Sequence, residues 1–323
     1  MTEKKTIAVV GATGAQGGGL VRAILNDPQG PFTVRALTRN PHSDKARELA
    51  AKGAEVRWAD LDDESSVREA FDGAHGAFVV TDYWAQQAKA DKRTRAEMEL
   101  AQAASAARAA QKAGLRHVVW STLEDTRPHF DRLGVDVPTV EGGFKVPHFD
   151  AKGEANATFT ELGVPTTFLQ TTFYYEAFVV AGQGPQRDEN GNLVLTLPMA
   201  DKKMALIASE DIGKTALGIL RRGDELIGET VSIAGAHATG DELAEKFTDV
   251  LGEKVVYRPH TFDQVRAAGF PFAVEIANMF QFYADASDHF AGVRDLARAR
   301  QLNPELQSLD SWLHEHRGEI PVG

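Results

Sequence analysis

The chain has 323 residues, of which 43% are hydrophobic and 25% charged, a composition typical of a globular protein with a substantial core. Its formal net charge of −11 argues against direct binding to nucleic acid or to an anionic membrane surface. The absence of cysteine excludes disulfides, Fe–S clusters, thiolate zinc sites and thiol nucleophiles. Because we find no signal-type segment and no apolar run long enough to span a bilayer, we expect a cytoplasmic protein.

Short apolar runs alternate with helical patterns through the first half of the sequence. Strands are predicted at 6–10, 32–39, 54–61, 76–81, 116–122 and 164–170. Helices are predicted between the first five of these strands, at 17–26, 44–53, 63–73 and 86–113. This alternation predicts an α/β fold with a Rossmann-type, doubly wound parallel sheet, in which ligands bind at the carboxyl ends of the strands.

The second half of the sequence is less regular. An Asn-Gly turn within 190–198 predicts a hairpin, and capped amphipathic helices are predicted at 209–223 and 239–252. We therefore predict a Rossmann domain at 1–155 and a smaller mixed α/β lobe at 156–323. Because the sequence shows no low-complexity linker, we expect the domain and the lobe to interleave.

The segment GATGAQG joins the first strand to the first helix and spaces Gly11, Gly14 and Gly17 three residues apart. Such glycines permit a tight exit from the strand, close approach of a pyrophosphate, and close packing of helix on sheet, respectively. The N–H groups and dipole of the helix N-terminus favour phosphate. In this strand–loop–helix context the motif predicts a dinucleotide site, the alternative being a glycine-rich structural turn.

The end of the second strand indicates which dinucleotide binds. Sheets that bind NAD usually carry Asp or Glu there to accept from the ribose 2′-hydroxyl, whereas this chain has Thr38 and Arg39. A guanidinium suits a 2′-phosphate, so NADP(H) is predicted over NAD(H), unless Arg39 is only a solvated surface charge. Asp60 and Leu61, at the end of the third strand, are predicted to flank the adenine ring.

Five segments in order, GATGAQGG, LTRNP, VTDYW, VVWSTLED and HFDAKGE, resemble the NmrA-like family, a branch of the atypical short-chain dehydrogenase/reductases. The similarity is greatest to NADPH-sensor members and is strongest over residues 6–180. It implies a Rossmann domain with a small C-terminal lobe and NADP(H) across the strand ends. Members of the family include redox sensors that bind regulatory proteins and relatives of quinone reductases.

The resemblance also implies roles for individual residues. The phosphate loop would consist of Gly11, Thr13, Gly14, Gln16 and Gly17, with Ala15 between them. The nicotinamide half of the site would be formed by Thr81, Tyr83, Trp84, Lys152, Phe173 and Tyr174. Arg39 would hold the 2′-phosphate, and Lys152 of the second set would hold the nicotinamide ribose.

Two departures from the family pattern stand out. Sensor members carry further basic residues after the arginine, where this chain has His42, Ser43 and Asp44, with Lys45 beyond. Thr172 replaces the proline that usually follows the sixth strand. The first departure weakens the expected binding of the 2′-phosphate.

The catalytic pattern of the related reductases is altered. Those enzymes carry Tyr-x-x-x-Lys on one helix face, whereas this chain has His148 and Lys152 at that spacing. Histidine can donate a proton near neutral pH, and Ser121, with Thr122, falls where a hydroxyl polarises the substrate carbonyl. Lys152, His148 and Ser121 are therefore the catalytic candidates. The alternative for His148 is a residue that only contacts cofactor or solvent.

The remaining features allow two interpretations each. Several aromatic residues either form a wall for a flat substrate or belong to the core: Trp84, Phe144, Phe173, Tyr174 and Tyr175. The same two interpretations apply to the segment 270–286. The Gly- and Pro-rich segment 131–147 is a candidate lid or partner-binding loop. No metal site is predicted, because the two histidines of 314–316 lack a third ligand.

Two functions follow. The first is an NADP(H)-binding redox sensor without the usual short-chain dehydrogenase catalysis, acting through a regulatory protein partner; the missing tyrosine favours it. The alternative is an NADPH-dependent reductase of quinones or other conjugated carbonyls, which the aromatic residues favour. The sensor predicts a blocked path to the nicotinamide and the reductase an open one; an oligomer is compatible with both.

Overall fold

A computed structural model describes residues 3–179 and 182–322. In chain order its strands are β1 (Lys5–Val9), β2 (Phe32–Thr38), β3 (Glu55–Trp58), β4 (Gly76–Val79), β5 (His117–Thr122), β6 (Thr166–Gln170), β7 (Phe173–Tyr174), β8 (Gln186–Arg187), β9 (Leu193–Leu195), β10 (Met204–Ile207), β11 (Thr230–Ser232), β12 (Ala236–Ala238) and β13 (Val255–Tyr257). The helices are α1 (Ala15–Leu25), α2 (Asp44–Ala51), α3 (Glu64–Phe71), α4 (Arg95–Ala113), α5 (Arg127–Leu133), α6 (Pro147–Glu161), α7 (Ser209–Arg222), α8 (Gly240–Leu251), α9 (Phe262–Arg266), α10 (Ala273–Asp285), α11 (Ser287–Gly292), α12 (Leu296–Leu302) and α13 (Leu309–Glu315).

The central layer is a seven-stranded parallel sheet in the order β11-β6-β5-β4-β1-β2-β3. Its order reverses direction at β1, as in a doubly wound fold. Helices α1, α2 and α7 share a buried apolar layer with one face, and α3, α4 and α6 with the other. The predicted Rossmann-type fold class is confirmed.

Two strands of the central sheet come from beyond residue 155. β6 pairs with β5, and β11 pairs with β6 at the edge of the sheet. The rest of the second half forms two small mixed sheets, β12-β10-β7 and β13-β9-β8, with their own helices. The chain thus passes back and forth between sheet and lobe, and the domain division at residue 155 stays a prediction.

The start of the fourth helix was predicted wrongly. α4 begins at Arg95, not near residue 86, because Thr94 accepts from the Glu97 N–H while the Glu97 side chain accepts from the Thr94 N–H. Residues 82–93 therefore form a loop at the carboxyl end of β4. Helix α5 was missed; only its last residues fall within the segment 131–147 that was predicted to be a loop. Of the helices that the structure describes, none is long and apolar enough to cross a membrane.

Direct backbone contact joins the two halves of the chain. A Cβ on Gly19 of α1 would lie 2.4 Å from the Glu210 carbonyl oxygen, and one on Gly213 of α7 would lie 2.2 Å from the Leu20 nitrogen. Only glycine permits this approach of α1 to α7. The N-terminus of α1 is thereby fixed by a helix of the second half.

His117 makes the stability of the sheet sensitive to acid. It is 2% exposed in β5, its ring pairs with the Thr167 hydroxyl at 2.8 Å, and burial lowers the pKa of His117 from 6.5 to about 4. The unfolded chain therefore binds a proton here that the folded chain does not. His117 contributes fully above about pH 6.5, and up to about 3 kcal/mol is lost as the pH falls towards about 4.

Urea denaturation of wild type and His117→Gln at about pH 7 and about pH 5 measures this contribution. We expect the variant, which retains a hydrogen-bonding group, to lose less stability on acidification. The exposed His42→Gln serves as control and should match the wild type. An acid-induced loss in His117→Gln as large as that of the wild type would contradict the account.

Candidate functional site

A cleft of about 1300 Å³ runs along the carboxyl ends of the central strands. Its walls are formed by segments that follow β1, β2, β3 and β4, by the cleft-facing side of α6, by residues 171–177, and by α10. One end is polar and lies on the sheet, and the other is apolar and lies against the second lobe. The cleft therefore lies where a parallel sheet is expected to bind its ligand.

The glycine loop forms the floor of the polar end. α1 begins at Ala15, two residues earlier than predicted, so Gln16 and Gly17 lie in its first turn. Its N-cap, Gly14, is exposed and provides no side-chain cap, and the first turn contains no acidic residue. The helix N-terminus can therefore offer its N–H groups and partial positive charge to an anion in the cleft.

Gly14 and Gly17 have different constraints. A Cβ on Gly17 would lie 2.5 Å from the Gly11 carbonyl oxygen, so this glycine is required by the fold itself. A Cβ on Gly14 would approach the same oxygen to only 3.2 Å. The fold therefore constrains Gly14 less than it constrains Gly17.

Two cations lie beyond β2. Arg39 and Lys45 are both exposed, and both line the cleft. In the sequence, Lys45 lies just beyond the stretch 42–44, where further basic residues were expected. The Asp44 carboxylate is paired with Arg47. Asp60 and Leu61 lie after β3 and also line this end. The structure brings these predicted residues together and adds Lys45.

Gln16 joins three elements across the middle of the cleft. Its Nε2 donates to the Tyr174 hydroxyl at 2.6 Å, and its Oε1 accepts from Ser121 Oγ at 2.6 Å. Ser121 is buried and lies outside the cleft lining, while the Thr122 hydroxyl donates to Asn156. This geometry favours a positioning role for Ser121 over the predicted polarisation of a substrate carbonyl.

Lys152 is held by a glutamate that the sequence analysis missed. Its Nζ donates to the Thr81 hydroxyl at 2.5 Å, to the Thr81 carbonyl at 3.2 Å, and to the fully buried Glu99 of α4. The Thr81 hydroxyl also donates to Glu99. Since an ammonium has three protons, these acceptors account for all of them. The signal in the sequence was a lone glutamate on the buried, alanine-rich face of α4.

His148 is paired with a second missed glutamate, Glu275 of α10. The Glu275 carboxylate lies 2.5 Å from His148 Nδ1 and 3.0 Å from the His148 backbone nitrogen. Its other oxygen accepts from the Tyr83 hydroxyl at 3.2 Å. Burial and the charge of Glu275 raise the pKa of Tyr83, so the phenol remains protonated. Segment 270–286 has two acids, and of these Glu275 is buried whereas Asp285 is exposed.

The predicted aromatic wall is partly correct. Trp84, Phe173 and Tyr174 line the cleft. Phe144 and Tyr175 do not: the former packs with Ala96 and Ala151, and the latter is fully buried against Trp312. Segment 270–286 contributes to both core and wall; its residues in the cleft lining are Pro271, Phe272, Ile276, Met279 and Tyr283.

Segment 131–147 is held away from the cleft. Asp150 accepts from the Lys145 and Val146 backbone nitrogens at 2.8 and 2.9 Å and from Thr126. Asn278 donates to two carbonyls of the same segment. Within the described ranges none of its residues lines the cleft, so the geometry does not support a lid. A role in partner binding stays a prediction.

The two glycine environments predict different effects of adding a methyl group. Gly17→Ala should lower the free energy of unfolding by about 1–3 kcal/mol, because the Cβ meets backbone that cannot yield. Gly14→Ala should cost less than about 1 kcal/mol. Urea denaturation of both variants measures the difference. Equal losses would show that the fold constraint does not lie at Gly17.

Comparisons with known proteins agree with this fold. The NmrA-like family model matches residues 3–313. The NmrA-like family domain-containing oxidoreductase FrzB from Cladobotryum sp is 30% identical over 291 residues, 85% of this chain and 83% of the relative. NmrA, a negative transcriptional regulator solved in complex with NADP, is 23% identical with a TM-score of 0.74 over 97% of this chain and 95% of that one. The Escherichia coli NADPH-dependent quinone oxidoreductase QOR2, solved with NADPH, is 21% identical with a TM-score of 0.70 over 96% and 99% of the two chains. The chain described here belongs to the NmrA-like family.

Proposed function

We propose that this protein is an NADPH-dependent reductase of flat, apolar, conjugated acceptors such as quinones and enones. One observation carries the proposal: a single open cleft extends from the glycine loop past Lys152 into a compartment walled by aromatic side chains. A binding-only sensor predicts a blocked path at this point. The oxidoreductase name of FrzB and the quinone oxidoreductase activity named for QOR2 support the same choice.

The polar end of the cleft fits NADP(H). The uncapped N-terminus of α1 suits the pyrophosphate, and Arg39 with Lys45 suits the 2′-phosphate. No carboxylate immediately follows β2 to accept from a 2′-hydroxyl; the first residues there are Arg39 and Asn40. NAD(H) is the second choice, since NmrA has been solved with NAD as well as with NADP. When bound, the reduced nicotinamide supplies a hydride.

The apolar end of the cleft fits the acceptor. Trp84 and Phe272 meet edge to face with ring centroids 5.2 Å apart, and both remain 40–50% exposed at the mouth, at 45% and 42%. Tyr283 and Met279 form the deeper wall. Aromatic walls favour flat conjugated rings through stacking. His148, in the same wall, places a group able to carry a proton beside the acceptor.

The alternative function is an NADP(H)-binding redox sensor that acts through a protein partner. The engagement of the Lys152 ammonium by Glu99 and Thr81 favours it, because no proton of Nζ is left over for a substrate or ribose hydroxyl. The description of NmrA as a transcriptional regulator also favours it. The two functions differ in one observable, oxidation of bound NADPH by a small acceptor.

The decisive assay follows NADPH oxidation by the purified protein with a panel of quinones and enones, with NADPH binding measured in the same samples. We expect acceptor-dependent oxidation, reduced about 100-fold or more in His148→Phe. Lys152→Met should lower activity as well, because it leaves the buried Glu99 carboxylate without its cation beside the cofactor site. Lys112→Met, which changes an exposed lysine paired with Glu64, is the matched control and should retain full activity. NADPH binding without oxidation across the panel would favour the sensor.

The choice of cofactor depends on the two cations beyond β2. Arg39→Ala should weaken NADPH binding about tenfold or more, and the double variant with Lys45→Ala further, while NADH binding changes little. Titration calorimetry with both cofactors measures this. Arg108→Ala, which changes an exposed arginine of α4 outside the cleft lining, controls for net charge. An unchanged ratio of NADPH to NADH affinity in the double variant would refute the assignment.

A further inference from the structure

We propose that Glu275 is the positioning residue of a proton-donating pair with His148, which delivers the proton that the reduced acceptor requires. The proposal rests on the reductase function above and adds a member of its machinery. Neither the glycine motif nor the altered Tyr-x-x-x-Lys pattern points to Glu275, which lies 127 residues beyond His148.

The contact geometry fixes the histidine in two ways. One oxygen of Glu275 accepts hydrogen bonds both from His148 Nδ1, at 2.5 Å, and from the His148 backbone N–H, at 3.0 Å. Ring and backbone are therefore held by the same atom, and the ring cannot flip without breaking a bond. The second oxygen is occupied by the Tyr83 hydroxyl. Glu275 is 1% exposed, so no solvent competes for these contacts.

Burial of this carboxylate is costly unless it is paired. It stands on α10 beside Ile276 and one turn before Met279, where an apolar side chain would pack without that cost. The only ring nitrogen among the described residues that Glu275 engages is Nδ1 of His148. The pairing with His148 therefore accounts for a buried carboxylate at this position.

With Nδ1 bound to Glu275, the opposite ring nitrogen, Nε2, is left for the cleft. His148 lines the cleft, and its ring lies 5.0 Å from that of Trp84, in the wall proposed for the acceptor. A carboxylate that orients an imidazole through one nitrogen while the other exchanges a proton is a recurrent catalytic arrangement. The Glu275 charge also compensates the positive charge on the ring while it carries the second proton.

The proton and electron balance is simple. Addition of a hydride brings two electrons to the acceptor and leaves its carbonyl oxygen negatively charged. The Nε2–H bond of His148 then breaks, and an O–H bond forms on the acceptor. The Nδ1 proton of the ring stays hydrogen-bonded to Glu275 throughout, and Nε2 takes up a new proton from the solvent.

A purely structural role for Glu275 is the competing explanation, since the same contact ties α6 to α10. The two roles differ in which step of the reaction slows. Loss of a proton donor slows proton transfer alone, so the solvent isotope effect on kcat rises. Loss of structure displaces the bound cofactor as well, so NADPH affinity falls and the solvent isotope effect does not rise.

The test compares wild type, Glu275→Gln, and Asp285→Asn, which changes an exposed acid of the same helix. Reduction of one enone is measured in water and in deuterium oxide, together with NADPH affinity. We expect Glu275→Gln to lower kcat about 10- to 100-fold with an increased solvent isotope effect, while its NADPH Kd stays within about twofold. Asp285→Asn should match the wild type in all three measurements.

A second measurement needs no cofactor. Nitrogen-15 NMR of histidine-labelled protein reports which ring nitrogen of His148 is hydrogen-bonded. We expect a strongly downfield Nδ1 proton in the wild type and in Asp285→Asn, and its upfield movement in Glu275→Gln.

Three results would overturn the proposal: unchanged kcat in Glu275→Gln, loss of kcat together with NADPH affinity and no change in the solvent isotope effect, or an Nδ1 proton that is indifferent to Glu275→Gln. If the wild type binds NADPH and reduces no acceptor, the reductase function fails and the delivery of a proton fails with it. The NMR measurement then still decides whether Glu275 holds the histidine, which separates the two failures.

Discussion

Three ionisable side chains of α6 are buried, and the pairing of each determines where the helix lies. His148 is paired with Glu275 of α10, Asp150 with backbone and hydroxyl donors of residues 126–146, and Lys152 with Glu99 of α4. Groups withdrawn from water are tolerated only when paired. Helix α6 therefore has one acceptable position relative to its neighbours. These pairs thus help to determine which face of α6 forms the cleft wall.

The same pairs position the groups of the proposed reaction. His148 and Lys152 are four residues apart and share the face of α6 that lines the cleft, whereas Asp150 lies between them and holds the segment behind the helix. On that face, Lys152 borders the polar end of the cleft, and His148 borders the apolar end beside the second lobe. Reactive groups held by buried partners lose little freedom when a ligand arrives. The fold of this region and the proposed function thus involve one set of contacts.

The central sheet could be predicted because its evidence is local. Buried strands read as apolar runs, and the glycine loop marks the turn into α1. Even the error at α4 was avoidable, because Thr94 and Glu97 have the spacing of a capping box. Glu99 and Glu275 could not be predicted in the same way. Their partners are 53 and 127 residues away, and no periodicity states which distant side chain a buried carboxylate will meet.

The central claim, that the cleft transfers a hydride to a conjugated acceptor, is tested most directly by isotope transfer. The protein is incubated with an enone and with NADPH that carries deuterium at the transferable position of the nicotinamide, and the product is examined by mass spectrometry. The account predicts a saturated product that retains one deuterium on carbon. An unchanged enone in the presence of bound NADPH would contradict it.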